Sequence, residues 1–427
     1  MSSFKIALVT IFSLGMVLGI AIFALSKAGG PPVSHLVIWG TISEDAFDVA
    51  YKNSTLKANK TITVQYVRKD KADFDSAFVE ALASGTGPDI VIMREDSMFK
   101  HRNKLLTIPY KSFPARDYKD RFIEGSEIFL LPDGVQAVPF LVDPLVMYWN
   151  RDLFNTNLIA QPPQYWDELS GLVKVMTRKD RSDNIMQSAL ALGEWRNITN
   201  AKEILSTLLL QAGTPIVVNN NSLYSAVLDT QFNYAVIPGQ AALNFYTQFT
   251  NPTSAMYTWN RSLPTSLNFF LSGNLATYIG FASEIFNIQQ KNPNLNFDVT
   301  YMPQSRQVQK KIVFAHMYGM AITKQSKQAS AAFTAIVGLI EPASLTALET
   351  VTNLPPVRRD LLASKPTDPY RAVFYNSALY SKSWIDPEPV ATAGIFRDMV
   401  ESITSGRARV SDSVTTANQL LNGLLMQ

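Results

Sequence analysis

Strand-like and helix-like segments alternate from residue 36 onward, and this alternation constrains the fold more than any other feature of the chain. Apolar runs typical of strands lie at 36–39, 61–67 and 89–93, and segments with helical spacing lie between them at 44–57 and 73–83. The same alternation repeats after residue 145. This order predicts an α/β fold with mainly parallel sheets flanked by helices, whose ligands bind beyond the carboxyl ends of the strands.

Length and composition restrict the classes of protein that remain. A chain of 427 residues is too long for one compact core, so we expect two lobes. The net charge of +3 and the lack of a long basic run give no reason to expect nucleic acid as a partner. There is no cysteine, which excludes disulfides, thiolate metal sites and a lipid-modified N-terminal cysteine. His35, His101 and His316 are widely separated, so we predict neither a histidine metal site nor a cofactor.

The N-terminus has the pattern of a targeting segment. An uncharged apolar stretch runs from Ile6 to Ser26 between Lys5 and Lys27, and as a helix it would be about 30 Å long, enough to span a bilayer core. We predict that residues 1–27 form an uncleaved single-pass anchor with the body outside the cell, and that 28–34 form a linker. Ala24-Leu25-Ser26 is an alternative cleavage site, in which case the body is secreted.

Five short motifs follow one another in a characteristic order. They are Gly85-Thr86-Gly87-Pro88-Asp89-Ile90, Val138-Pro139-Phe140-Leu141-Val142-Asp143, Met147-Tyr148-Trp149-Asn150-Arg151-Asp152-Leu153-Phe154, Pro162-Pro163-Gln164-Tyr165-Trp166-Asp167-Glu168-Leu169 and Ser272-Gly273-Asn274-Leu275-Ala276-Thr277-Tyr278-Ile279-Gly280. From about residue 35 to the C-terminus the chain resembles the sugar-binding family of extracellular solute-binding proteins, which includes maltose-binding proteins. Tyr165 departs from the family pattern, which usually has a helix-capping threonine there.

The resemblance implies an architecture and a function. The fold would be the two-lobed, type II periplasmic-binding-protein fold, with a first lobe of residues 35–140 plus about 275–320 and a second lobe of 141–274 plus about 321–427. The protein would be a monomer that captures a small solute, above all a sugar or oligosaccharide, and delivers it to the permease subunits of an ABC transporter. It would not be an enzyme.

Candidate ligand residues in the first lobe follow the ends of strands. Sugar sites combine aromatic faces with a few placed polar groups. Trp39 ends the first strand, and Ser43 and Glu44 follow it; core packing of Trp39 and a first-turn helix position for Glu44 are the structural alternatives. Met93 ends the third strand, and Asp96 lies three residues beyond it, where it can instead cap a helix.

The remaining candidates lie at crossovers and loops farther along the chain. Asp143 follows the first crossover and is the strongest polar candidate, although a residue before Pro144 can simply form a turn. The other members of this set are Glu194 and Trp195 after a strand, Phe281 and Ser283 where relatives often have an aromatic platform, and Trp384 in a loop-like stretch.

Three other functions stay open at the level of sequence. A polyamine receptor on the same fold can use Glu44, Asp96 and Asp143 as anionic ligands. A glycosidase needs two carboxylates, for which Asp143 and Glu194 are candidates. A surface protein that does not take part in transport is the third alternative.

Overall fold

The computed structural model describes Met16 and residues 33–220, 223–306 and 310–426. Except for Met16, the predicted anchor and the first five residues of the linker lie outside the described residues. Within the described part, no single helix combines the length and apolar character needed to span a membrane; one bent pair, Ala329–Leu339 with Pro342–Thr352, meets both requirements together, with 65° between its two helices.

Within the described residues, the strands form one large mixed sheet and two small ones. In chain order they are β1 Ser34–Gly40, β2 Ile62–Arg68, β3 Ile90–Arg94, β4 Ile108–Pro109, β5 Leu130–Leu131, β6 Gly134–Val135, β7 Val138–Asn150, β8 Arg178–Lys179, β9 Ile185–Leu190, β10 Val217–Asn220, β11 Leu223–Ala226, β12 Leu275–Phe281, β13 Phe297–Thr300, β14 Val313–Ile322 and β15 Ser381–Lys382. The large sheet has the order β2-β1-β3-β14-β7-β12-β9-β8, with β13 also paired to β7 and β15 to β14.

Helices cover this sheet and build the C-terminal part of the chain. They are α1 Glu44–Lys52, α2 Phe74–Ala83, α3 Glu95–His101, α4 Ala115–Arg121, α5 Arg151–Thr156, α6 Leu169–Met176, α7 Ala201–Ala212, α8 Pro238–Thr247, α9 Ser266–Leu271, α10 Ile285–Lys291, α11 Ala329–Leu339, α12 Pro342–Thr352, α13 Arg359–Leu362, α14 Pro369–Leu379, α15 Pro389–Thr404 and α16 Val410–Leu425. The α/β prediction is confirmed.

Local chemistry explains where several of these elements begin and end. Ser43 caps α1, because its Oγ accepts a hydrogen bond of 3.3 Å from the Ala46 N–H. At the motif that contains Tyr165, the Glu168 carboxylate provides the capping hydrogen bonds. Its Oε2 accepts from the Gln164 and Tyr165 N–H groups at 2.8 and 3.2 Å. Gly213 ends α7 with φ of +102°, a conformation that glycine adopts without a steric penalty.

β7 connects the two halves of the large sheet. Its first half pairs with β14, which in turn pairs with β3, whereas its second half pairs with β12 and β13. On the far side, β12 runs parallel to β9, so the segment at 275–281 is hydrogen-bonded to a strand that the predicted division assigns to the other lobe. The assignment of chain segments to lobes stays a prediction.

Candidate functional site

Buried and partly buried charged side chains meet where the two halves of the sheet join. They come from the end of β3 and the start of α3, from the middle of β7 and β14, from the first turn of α7, and from the loop after β15. We call this group the junction cluster; its members are Arg94, Glu95, Asp96, Asp143, Lys202, Glu203, His316 and Asp386. Trp384 lies against it, and a cavity of about 10 Å³, room for one water molecule, lies within it.

Strand order explains why the acids of α3 reach the centre of the molecule. β3 is parallel to β1 and antiparallel to β14, so its carboxyl end points toward the middle of β14, where His316 lies. α3 starts directly at that end with Glu95 and Asp96, which are only 3% and 5% exposed. Asp96 therefore lies in the first turn of α3 and not at its N-cap, which is Arg94.

Arg94, Glu95, Asp96 and His316 are connected by a chain of hydrogen bonds. The Glu95 carboxylate binds His316 Nδ1 at 2.9 Å and accepts from the Met317 N–H at 2.7 Å. Arg94 donates to His316 Nε2 at 3.1 Å and from its Nε to Asp96 at 3.1 Å. Burial alone would raise the pKa of Asp96, but the Arg94 guanidinium outweighs it and holds the pKa below its usual value.

Three of these groups are also close enough to share a metal ion. Ligand atoms of Glu95, Asp96 and His316 lie within 4.8 Å of one another. The spacing of the histidines in the sequence gave no sign of this, because the two acids come from another part of the chain. The Arg94 guanidinium, however, already donates to both Asp96 and His316, so a cation occupies the position that an ion would need.

Lys202 and Asp386 form a second buried pair in the junction cluster. Their side chains are 14% and 3% exposed and are in direct contact. Asp386 also accepts a hydrogen bond of 2.7 Å from Thr392 Oγ1. Burial raises the pKa of Asp386, although Lys202 opposes that shift.

Asp143 is buried in the middle of β7, directly across from His316 on β14. It lies within a continuous strand and not in a turn before Pro144. Its Oδ1 accepts a hydrogen bond of 3.0 Å from the Ser283 N–H, which joins two of the predicted ligand residues. Burial raises the pKa of Asp143 above its usual value.

We predict that Asp143→Asn stabilises the protein at neutral pH. The folded state has the higher pKa, so the carboxyl group destabilises it increasingly as pH rises above about 4, the unfolded value. Asparagine keeps the acceptor for Ser283 and removes the charge, and we expect a gain on the order of 1 kcal/mol at pH 7 that disappears near pH 3. Urea unfolding across this pH range measures it. Asp133→Asn, at an exposed position, is the matched control; equal curves for both variants would contradict the prediction.

Two predicted aromatic residues pack around the junction cluster. The Phe281 ring stacks on His316 with 4.6 Å between ring centroids and 22° between planes. Trp384 is 5% exposed, stacks on Phe396 at 5.8 Å and donates from Nε1 to Ser206 Oγ at 3.0 Å, while the Lys202 ammonium lies 5.7 Å from its ring. The structure thus brings Asp96, Asp143, Phe281, Ser283 and Trp384 together.

The other predicted ligand residues lie elsewhere. Trp39 is buried at the end of β1 with the Lys69 ammonium 3.8 Å from its ring, and the buried Met93 side chain is part of the same core. Ser43 and Glu44 are exposed at the start of α1.

Glu194 and Trp195 lie outside the junction cluster. The buried Glu194 carboxylate accepts from Arg261 Nε at 2.9 Å, and Trp195 is half-buried against the core. Among the described residues no contact joins Glu194 to Asp143, the two carboxylates that the glycosidase alternative requires.

Sequence reasoning missed Arg94, Glu95, Lys202, Glu203, His316 and Asp386 as site residues. Arg94 and Glu95 lie between Met93 and Asp96, and Asp386 lies two residues after Trp384, so the neighbourhood of a predicted residue was an available signal for them. Lys202 and Glu203 are in the first turn of an ordinary amphipathic helix, and nothing in the local sequence distinguishes them.

The mixed sheet with one strand shared by its two halves, and a buried polar junction between them, define an α/β binding protein of the two-lobed periplasmic type. A sequence profile of the bacterial extracellular solute-binding protein family matches residues 50–374, well over half of the chain. The chain belongs to this family.

Structural and curated relatives agree with this family. A cyclo/maltodextrin-binding protein solved with maltotetraose superposes with a TM-score of 0.74 at 16% identity, covering 92% of this chain and 98% of that one. The cyclic α-maltosyl-1,6-maltose binding protein of Arthrobacter globiformis gives 0.74 at 17% identity, covering 93% and 99%. The maltotriose-binding protein of Pyrococcus abyssi is 23% identical over 140 residues, which are 33% of this chain and 30% of that protein. The structural matches show the fold.

Proposed function

We propose that this protein captures a carbohydrate at the junction cluster and presents it to the permease of an ABC importer, without transforming it. The observation that carries the proposal is the pairing of both signs of charge at one buried place. Sugar hydroxyls donate and accept hydrogen bonds, so a site for them needs carboxylates such as Glu203 and Asp386 together with donors such as Lys202 and Arg94. The Trp384 indole beside them supplies an apolar wall.

The proposed mechanism is hinge closure. β7 connects the two halves of the sheet and β14 pairs with its first half. Each of these strands carries a member of the junction cluster, Asp143 and His316 respectively. The cavity of about 10 Å³ is too small for a sugar ring, so the ligand enters when the halves separate. Its hydroxyls then replace contacts such as the one between Lys202 and Asp386, and contacts to both halves stabilise the closed state.

The relatives support carbohydrate as the ligand class. Both structural neighbours described above have names that refer to maltose-based oligosaccharides, and so does the Pyrococcus relative. Three carboxylates of the junction cluster already have a basic partner, since Asp96 binds Arg94, Asp386 binds Lys202 and Glu95 binds His316. Fewer carboxylates are therefore free to hold a polyamine, which favours a neutral ligand.

Binding of maltose, maltotriose, other sugars and spermidine to the full-length chain tests the proposal. We expect a thermal shift with at least one carbohydrate, since a ligand at about 100 times its Kd adds roughly 2.7 kcal/mol. Glu203→Gln should weaken that binding about tenfold with little loss of stability, because its side chain is 19% exposed and faces His316 at 3.8 Å. Glu80→Gln on the exposed face of α2 is the control. A response to spermidine alone, or to no member of the panel, would contradict carbohydrate capture.

A further inference from the structure

A second and much larger cavity, of about 730 Å³, lies on another face of α3. Glu95, Met98 and Phe99 line it with the spacing i, i+3, i+4, and Arg102 continues the same stripe into the turn that follows α3. Asp96 points instead into the small cavity of the junction cluster. Glu95 lines both cavities, whereas Met98, Phe99 and Arg102 line only the larger one.

The walls of this cavity are mostly apolar. Opposite α3 they are formed by Leu223 and Tyr224 of β11 and by Leu425 and Met426 at the end of α16. Leu223 and Met426 are 76% and 84% exposed, whereas Leu425 is buried. A volume between about 300 and 1,000 Å³ with a mainly apolar lining is typical of small-molecule sites.

The charge that the cavity presents to a ligand is positive. Arg102 and Lys324 line it, both are exposed, and within the described parts of the chain neither has a carboxylate partner. The Arg102 guanidinium lies 3.7 Å from the Phe99 ring, and the Lys324 N–H donates to the Lys104 carbonyl at 2.9 Å, which places Lys324 beside the turn that contains Arg102. The acid of the lining, Glu95, is engaged by His316 and Met317.

We propose that this cavity binds an amphiphilic carboxylate of the long-chain fatty acid class. The aliphatic chain lies against the walls formed by Met98, Phe99, Leu425 and Met426, and burial of that apolar surface drives binding. The carboxylate of the fatty acid lies at Arg102 and Lys324, so the methyl end of its aliphatic chain lies inside the cavity. Apart from Glu95, the residues that line this site are not members of the junction cluster.

Photo-crosslinking of the full-length chain with a long-chain fatty acid that carries a diazirine near its chain end tests this proposal. We expect the label, mapped by mass spectrometry, on peptides that contain Met98–Leu105 and Leu425–Met426, with competition by palmitate but not by hexadecanol. Arg102→Ala combined with Lys324→Ala should reduce specific labelling about tenfold. Both residues are exposed, so the fold should be unaffected.

Matched control variants show whether labelling depends on this cavity or only on the overall charge and hydrophobicity of the protein. Lys327→Ala removes one positive charge from an exposed position outside the cavity and should leave labelling unchanged. Leu223→Asp places a carboxylate at the rim and should abolish labelling, whereas Leu420→Asp on the exposed face of α16 should not. Labelling confined to other peptides, equal competition by hexadecanol, or wild-type labelling of the double variant would overturn the proposal. Thermal shifts with sugars report separately on the junction cluster.

Discussion

Trp384→Ala is expected to lower the free energy of unfolding by about 3–5 kcal/mol, the range found when a buried large aromatic side chain is truncated. The indole is 5% exposed and stacks on Phe396, and its Nε1 donates to Ser206 Oγ. Truncation removes these contacts and leaves a cavity next to the buried junction cluster, which cannot collapse easily because its members are held by hydrogen bonds. Urea unfolding at pH 7 measures the loss.

The variant Trp384→Phe distinguishes the contribution of aromatic packing to stability from that of the Nε1 hydrogen bond. Phenylalanine keeps an aromatic ring against Phe396 and loses the Nε1 donor, but Ser206 Oγ still donates to the Lys202 carbonyl at 2.8 Å. We therefore expect a loss of about 1–2 kcal/mol, much smaller than that of the alanine variant. If the alanine variant were as stable as the wild type but lost sugar binding, Trp384 would be a ligand platform and not part of the core.

Lys202→Met is expected to destabilise the protein by about 3–5 kcal/mol at pH 7, because it leaves the buried Asp386 carboxylate without its cation. Asp386 keeps a hydrogen bond from Thr392, which compensates only part of the lost interaction. Burial already raises the pKa of Asp386 in the folded protein, and loss of Lys202 raises it further. In this variant the pKa of Asp386 in the folded protein then lies well above its unfolded value of about 3.9. The loss of stability therefore grows as pH rises from the unfolded to the folded pKa, and it is small at lower pH.

Unfolding of this variant at pH 4 and pH 8 therefore distinguishes charge from packing. We expect the variant to approach the wild type at pH 4 and to differ most at pH 8. Adding Asp386→Asn to Lys202→Met should restore most of the stability at pH 8. Lys52→Met, which breaks the exposed pair with Asp48, is the matched control and should cost only a few tenths of a kcal/mol. A loss independent of pH would mean that packing by the lysine stem dominates.

Secondary structure was predictable wherever the signal was local. The alternation at 61–67 and the apolar run at 89–93 are β2 and β3, and the helical spacing at 73–83 is α2. The segment at 44–57 was only partly predicted: α1 ends at Lys52, and a 3₁₀ turn at Thr55–Ala58 follows it. The helical pattern does not show this break, because Asn53 and Ser54 end the helix through local hydrogen bonds.

The candidate site was predictable only in part. Asp96, Asp143 and Trp384 were selected for their positions after strands and crossovers, and the fold brings them to the same junction. Trp39 and Glu194 were selected by the same reasoning, yet Lys69 covers one and Arg261 pairs with the other. Position along a strand indicates which edge of a sheet a residue reaches. It does not indicate which side chain from a distant segment will contact that residue in the folded protein.

By itself, the sequence determined the α/β class and the family, because periodicity, turn residues and motif order depend on neighbours along the chain. Only the tertiary structure decided which charged residues form the junction cluster. Arg94 and His316 are 222 positions apart, and Lys202 and Asp386 are 184 apart. Such pairs exist because the fold brings distant segments together and removes their charged side chains from water. A charge that loses its solvent is stable in the fold only beside a partner.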